Sequence, residues 1–119
     1  MARLKVGIVG AGSIADVHAK GYEDDPRADI AAVCDVNEDR AISRSLDWGG
    51  QAYYTDYAEM LADDDLDAIE ILTPHHLHAS QAIDAFQAGK HVCVERPIAL
   101  TVEEADKVLK VAEQTGKVL

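Results

Sequence analysis

The residues Gly10-Ala11-Gly12-Ser13-Ile14-Ala15 follow directly on the apolar run Leu4 to Val9, and Asp35 closes the next apolar run, Ile30-Ala31-Ala32-Val33-Cys34. A glycine-rich turn between a strand and a helix can receive a pyrophosphate. Gly10 permits the tight turn, Gly12 lets the backbone approach the phosphates, and Ala15 is small enough for close helix-strand packing. The phosphates would rest on the helix N-terminus at Ser13 and Ile14, where free N–H groups and the positive end of the helix dipole favour an anion. A carboxylate at Asp35, with Val36 beside it, can accept hydrogen bonds from both hydroxyls of an adenosine ribose. Two plainer readings stand beside this one. The glycines also suit an ordinary βα turn, and Asp35 also suits a helix N-cap before Asn37-Glu38-Asp39-Arg40.

Other reactive side chains fall at the ends of later apolar runs. His75 and His78 are three apart and would share one face of a helix, as metal-binding pairs do. No carboxylate or cysteine nearby completes such a set, so no metal is expected, and histidines at a helix start are better read as hydrogen-bonding a crevice. His18 and His91 read as packing or surface residues. Cys34 and Cys93 lie among apolar neighbours and are expected to be small buried hydrophobes rather than a disulfide or metal pair.

The elements that must position these groups alternate as βα units, the pattern of a parallel sheet. Strands are expected over Leu4–Val9, Asp29–Cys34, Gln51–Tyr54, Ala68–Leu72 and His91–Glu95. Helices are expected over Ile14–Tyr22, Glu38–Leu46, Tyr57–Ala62, His76–Ala88 and Val102–Gln114. Asp25-Pro26 breaks the first helix, Gly49-Gly50 ends the second, Gly89 stops the fourth, and Thr101-Val102-Glu103-Glu104 opens the last as a capping box. The fold expected is a three-layer α/β/α, doubly wound parallel sheet of Rossmann type, order 3-2-1-4-5. Gly116-Lys117-Val118-Leu119 reads as a helix end and the start of a sixth strand, which suggests a truncated domain. A complete small domain with a short edge strand is the alternative. In such a sheet the crevice lies beyond the carboxyl ends of the strands. Gly10–Ala15, Thr73-Pro74-His75-His76-Leu77-His78 and Glu95-Arg96-Pro97 therefore converge. Pro74 and Pro97 cannot donate to a ladder and mark strand ends. Arg96-Pro97 can adopt a cis bond, although trans is the commoner state of such bonds.

The chain has 119 residues, enough for one domain, and a formal net charge of −11. That charge disfavours nucleic acid and anionic membrane surfaces, which need basic patches. The acidic runs Glu23-Asp24-Asp25 and Asp63-Asp64-Asp65 read as a solvated surface. No stretch approaches the roughly 20 apolar residues of a membrane span, and the N-terminus lacks a signal-peptide pattern, so a cytoplasmic protein is expected.

In order and spacing, Gly10–Ala15, Thr73–His78 and Ala88-Gly89-Lys90-His91-Val92-Cys93-Val94-Glu95-Arg96-Pro97 resemble the N-terminal half of the Gfo/Idh/MocA family of NAD(P)-dependent oxidoreductases. The resemblance covers essentially the whole chain, and the last element is the most specific. It implies a Rossmann domain over residues 1–119, normally followed by a larger α/β domain that carries the substrate pocket and a catalytic histidine. It further implies hydride transfer between nicotinamide and a sugar, inositol or other polyol; some members use the cofactor in glycoside cleavage. Gly10, Gly12, Ser13 and Ile14 match the pyrophosphate turn, and Asp35 the ribose-binding acid. Thr73, Pro74 and His78 match the wall beside the nicotinamide ribose, with His75 on the nicotinamide side, and Glu95 and Pro97 lie near the nicotinamide. Asp35 points to NAD over NADP, since a carboxylate repels a 2′-phosphate. A homo-oligomer is expected, because loss of a covering domain would leave apolar surface and a sheet edge exposed.

The chain departs from the family pattern twice. Arg96 stands where the family has the lysine credited with positioning and proton transfer at the substrate hydroxyl, and a guanidinium is a poor proton donor or acceptor at neutral pH. Arg96 can hold a polyhydroxy or anionic substrate while another group moves the proton, or it marks a member without redox chemistry, a dinucleotide sensor or scaffold. His75 stands where asparagine is common.

Overall fold

The computed structural model describes residues 2–119. Parallel strands β1 (Leu4–Val9), β2 (Ala28–Cys34), β3 (Ala52–Tyr54), β4 (Ala68–Ile71) and β5 (His91–Val94) form one sheet in the order β3-β2-β1-β4-β5. This is the doubly wound Rossmann arrangement expected. Helices α1 (Ser13–Glu23), α2 (Glu38–Asp47), α3 (Tyr57–Leu61), α4 (His78–Gln87) and α5 (Val102–Thr115) connect and cover the strands.

Each boundary has a local cause. Asn37 caps α2 by accepting the Arg40 N–H at 3.1 Å, and Thr101 caps α5 by accepting the Glu104 N–H at 3.1 Å. These caps satisfy N–H groups that the first helical turn leaves without partners. The helix-cap reading of Asp35 therefore gives way, because Asn37 holds that place. Before α4 a short 3₁₀ turn, His75–Leu77, takes up His76 and Leu77, where the α-helix was expected to open, and α4 begins only at His78.

Two cores cover the two faces of the sheet. On one, Ala11, Ala15 and Ala19 of the α1 region pack against Ile8, Ile30, Val33 and Leu72. Three small side chains let α1 lie close over the central strands, and α2 lies beside it, joined by Arg44 Nη2 to Asp16 Oδ2 at 2.9 Å. On the other face Phe86, Met60, Ile69, Ile71, Val92 and Val108 pack beneath α3, α4 and α5. Lys90 is buried as well, and its ammonium donates to the Asp63 and Leu66 carbonyls at 2.7 and 2.9 Å, tying the loop before β4 to the turn before β5.

Cys34 is buried as expected, but Cys93 is exposed. Side chains alternate along a strand, so Val92 points into the core while Cys93 points to the opposite face of the edge strand. Past α5, the Val92 N–H donates to the Val118 carbonyl at 3.0 Å, and the Val118 N–H donates to His91 Nδ1 at 3.0 Å. Val118 thus lies beside β5 as a strand neighbour would, without forming a sixth strand.

Candidate functional site

Gly10 has φ +91° and sits against β4, where an added Cβ would come within 2.7 Å of the Leu72 carbonyl and 2.8 Å of the Thr73 nitrogen. Both the backbone conformation and the lack of room require glycine there. Gly12 differs. Its φ is −76°, open to any residue, and a Cβ there would meet nothing within 4 Å. The fold leaves clear space above Gly12, at the head of α1. No side chain caps α1, so the N–H groups of its first turn remain available to an anion.

The turn and the end of β2 are joined through Asp35. Its Oδ2 accepts the Ala11 N–H at 2.9 Å and its Oδ1 accepts the Asn37 N–H at 2.8 Å. Arg40 Nη1 lies 3.8 Å from Oδ2, a neighbour that sequence reasoning did not single out as part of the site. Gly10, Gly12, Asp35, Val36, Arg40, Thr73, Pro74, Leu77 and Gln81 are among the residues lining a cleft of about 380 Å³. Val36 is 94% exposed, a large apolar side chain held at the cleft mouth. Thr73 Oγ1 donates to Gln81 Oε1 at 2.5 Å, which fixes the wall on the β4 side.

A second, more open hollow of about 520 Å³ is lined by Ile14, His75, Glu95, Arg96 and Pro97. The Arg96-Pro97 bond is cis. The three segments expected to converge meet around this hollow, and Ser13 is exposed at the head of α1. Glu95 is held by the protein at both oxygens. Oε1 accepts the Arg96 N–H at 2.9 Å, and Oε2 lies 3.0 Å from His18 Nε2. The Arg96 N–H, with His18 as a lesser cause, holds the Glu95 carboxyl below the usual carboxylate range against the opposing effect of desolvation. The Arg96 guanidinium is 96% exposed, and its Nε is 3.9 Å from Glu95 Oε1.

His78 is not a wall residue. It is fully buried, and its Nδ1 and Nε2 lie 2.7 Å from the Pro97 and Thr73 carbonyls respectively. It therefore acts beneath the surface by tying the segment after β4 to the one after β5. The 3₁₀ turn separates it from exposed His75, whose ring centroid is 5.5 Å away at a tilt of 57°. With both His78 nitrogens occupied, the two histidines do not form a ligand pair. His18, read from sequence as a packing or surface residue, instead bridges two carboxylates. Its Nδ1 lies 2.6 Å from Oε1 of buried Glu70, a contact between positions 52 apart that no local sequence signal reveals.

An uncapped helix start, a clear space over Gly12 and a carboxylate at the end of β2, set on a 3-2-1-4-5 sheet, define a dinucleotide-binding Rossmann domain. The family described as "Oxidoreductase family, NAD-binding Rossmann fold" matches residues 4–119, and the chain belongs to this Gfo/Idh/MocA family. It is 34% identical over 115 residues to a 4-carboxy-2-hydroxymuconate-6-semialdehyde dehydrogenase of Sphingobium, covering 97% of this chain and 36% of that protein. It is 36% identical over 123 residues to an α-N-acetylgalactosaminidase of Shewanella oneidensis, covering 96% of this chain and 27% of the other. Among solved structures, a 3-ketoreductase from Actinomadura kijaniata in complex with NADP and TDP-benzene superposes with a TM-score of 0.94 at 30% identity, over 99% of this chain and 36% of that one. An apo scyllo-inositol dehydrogenase from Lactobacillus casei gives 0.89 at 29% identity, over 98% and 35% respectively. The chain thus spans between 27% and 36% of the length of these relatives. Among the described residues no helix is long and apolar enough to cross a membrane.

Proposed function

We propose that this chain is the cofactor-binding part of an oxidoreductase that moves a hydride between nicotinamide C4 and a carbinol carbon of a sugar, inositol or other polyol, with NAD preferred over NADP. The clear space over Gly12, opposite Asp35, carries the reading, since nothing in the fold itself uses that space. The 3-ketoreductase and inositol dehydrogenase among the relatives support the substrate class. When bound, the nicotinamide supplies the redox chemistry. The chain supplies position: N–H groups at Ser13 and Ile14 for the pyrophosphate, Asp35 for the adenosine ribose, Thr73 and Pro74 for the wall, and Glu95 with His75 at the nicotinamide end. Arg96, exposed and cationic, offers a fork of donors to a polyhydroxy substrate but no proton at neutral pH. In the full-length protein proton transfer therefore falls to a group other than Arg96, and residues 1–119 by themselves are expected to bind cofactor but turn over little.

Calorimetric titration with NAD and NADP tests this. Tighter binding of NAD, lost in Gly12→Val, supports the reading. Binding of neither sinks it. The exposed Arg96 in the place of a lysine also favours a second reading, a dinucleotide sensor or scaffold. In the full-length protein, a large rise in dehydrogenase activity on Arg96→Lys would favour that alternative. The chain also exposes Leu100, Val102, Leu109, Val118 and Leu119, and self-association through such apolar surface is read out by size-exclusion chromatography.

A further inference from the structure

On the α1 face of the sheet, four side chains form a continuous polar chain that ends at Glu95. The Tyr22 hydroxyl donates to Glu70 Oε2, Glu70 Oε1 lies 2.6 Å from His18 Nδ1, and His18 Nε2 lies 3.0 Å from Glu95 Oε2. The chain has a fixed end and a working end. The Glu70 side chain, on β4 between β1 and β5, is 5% exposed, whereas those of His18 and Glu95 are 29% and 27% exposed. His18 thus presents one ring nitrogen to each of the two carboxylates. The other charged or titratable groups near this chain are Cys93 on β5 and Arg96 beside Glu95.

We infer that His18 is a positioning residue for the nicotinamide half of the cofactor. It anchors the Glu95 carboxylate to buried Glu70, so that Glu95 stands in one orientation in the hollow it shares with Ile14, His75, Arg96 and Pro97. This rests on the dinucleotide reading proposed above. The reason for the arrangement is entropic. A glutamate side chain at a cleft mouth samples several rotamers, and ordering it during binding opposes affinity. With Oε1 on the Arg96 N–H and Oε2 on His18, that ordering is complete before the ligand arrives.

The test uses two ligands that share the adenosine diphosphate ribose moiety and differ in the nicotinamide. NAD and ADP-ribose are titrated calorimetrically into the wild-type chain and into His18→Leu, His18→Gln, Glu95→Gln and the double variant His18→Leu/Glu95→Gln. His18→Leu is expected to weaken NAD by about tenfold while ADP-ribose stays within about twofold, and His18→Gln, which keeps one donor, is expected to recover part of the loss. The double variant is expected to be no weaker than Glu95→Gln alone, since His18 acts through that carboxylate. Equal losses for both ligands, or an unchanged NAD affinity, would overturn the inference by making His18 structural or idle. A wild-type chain that binds neither ligand would overturn the cofactor reading itself, which a wild-type chain binding ADP-ribose would uphold.

Discussion

Asp35 accepts the Ala11 N–H through one carboxylate oxygen at 2.9 Å and the Asn37 N–H through the other at 2.8 Å, so one side chain holds the turn after β1 against the turn after β2. Asp35→Ala removes both acceptors and leaves the buried Ala11 N–H unpaired, at a cost of about 1–3 kcal/mol in folding stability. The same change is expected to weaken NAD and narrow its advantage over NADP, with Arg40 left facing the ribose. Urea denaturation reads the first effect and paired titrations read the second. A variant that loses stability but keeps NAD affinity and selectivity would make Asp35 purely structural.

The two glycines of the turn are expected to separate folding from binding. Gly10→Ala places a Cβ 2.7 Å from the Leu72 backbone at a φ of +91° and is expected to cost about 2–4 kcal/mol, lowering the melting temperature by roughly 8–16 °C. At Gly12 an added Cβ meets no protein atom within 4 Å, so the melting temperature of Gly12→Val should stay near wild type while NAD binding disappears. Thermal denaturation and calorimetry on the same samples decide this.

His78→Ala removes a fully buried ring that lies 2.7 Å from each of two carbonyls, Thr73 and Pro97. We expect a stability loss of about 2–4 kcal/mol from the unpaired carbonyls and the cavity. NAD affinity should fall as well, because the two cleft segments lose their tie. Wild-type affinity in this variant would show that the segments hold their places without the ring.

Alkaline pH is expected to weaken the fold. Burial, helped by Asp35 and Asp56, pushes the Cys34 thiol from an ordinary 9.0 up to about 11. Burial, then Glu70, raises Tyr22, and burial, then Asp84, raises Tyr57. Each folded-state value lies above its unfolded one, so the folded chain holds these protons more tightly. Their contribution is intact below about pH 9 and is lost as the unfolded chain ionises first. For Cys34 alone the loss between about pH 8 and 10.5 comes to roughly 1–2 kcal/mol. Urea midpoints at those two pH values measure it, and an unchanged midpoint would refute it. In the native chain iodoacetamide should reach exposed Cys93 and spare Cys34.

The sheet order and the converging turns were legible in the sequence because both rest on local signals, apolar runs separated by Gly, Pro and capping residues. Gly10 and Asp35 were legible for the same reason, being fixed at the ends of their strands. His18 was not. Its role depends on how α1 packs on the sheet, which brings its ring against residues 52 and 77 positions away. His78 was misplaced because a 3₁₀ turn, where an α-helix was expected, precedes it and accompanies its burial beneath the cleft. Cys93 was misjudged because an apolar run reads as buried on both faces, whereas β5 is covered on one.

The empty space over Gly12 has a cellular consequence. Chaperones and proteases act on unfolded chains, so a lesion at Gly10 would reduce the amount of protein. A lesion at Gly12 would pass that surveillance unnoticed. The cell would then carry a full complement of well-folded molecules that cannot take up their coenzyme, a defect invisible to any assay of abundance.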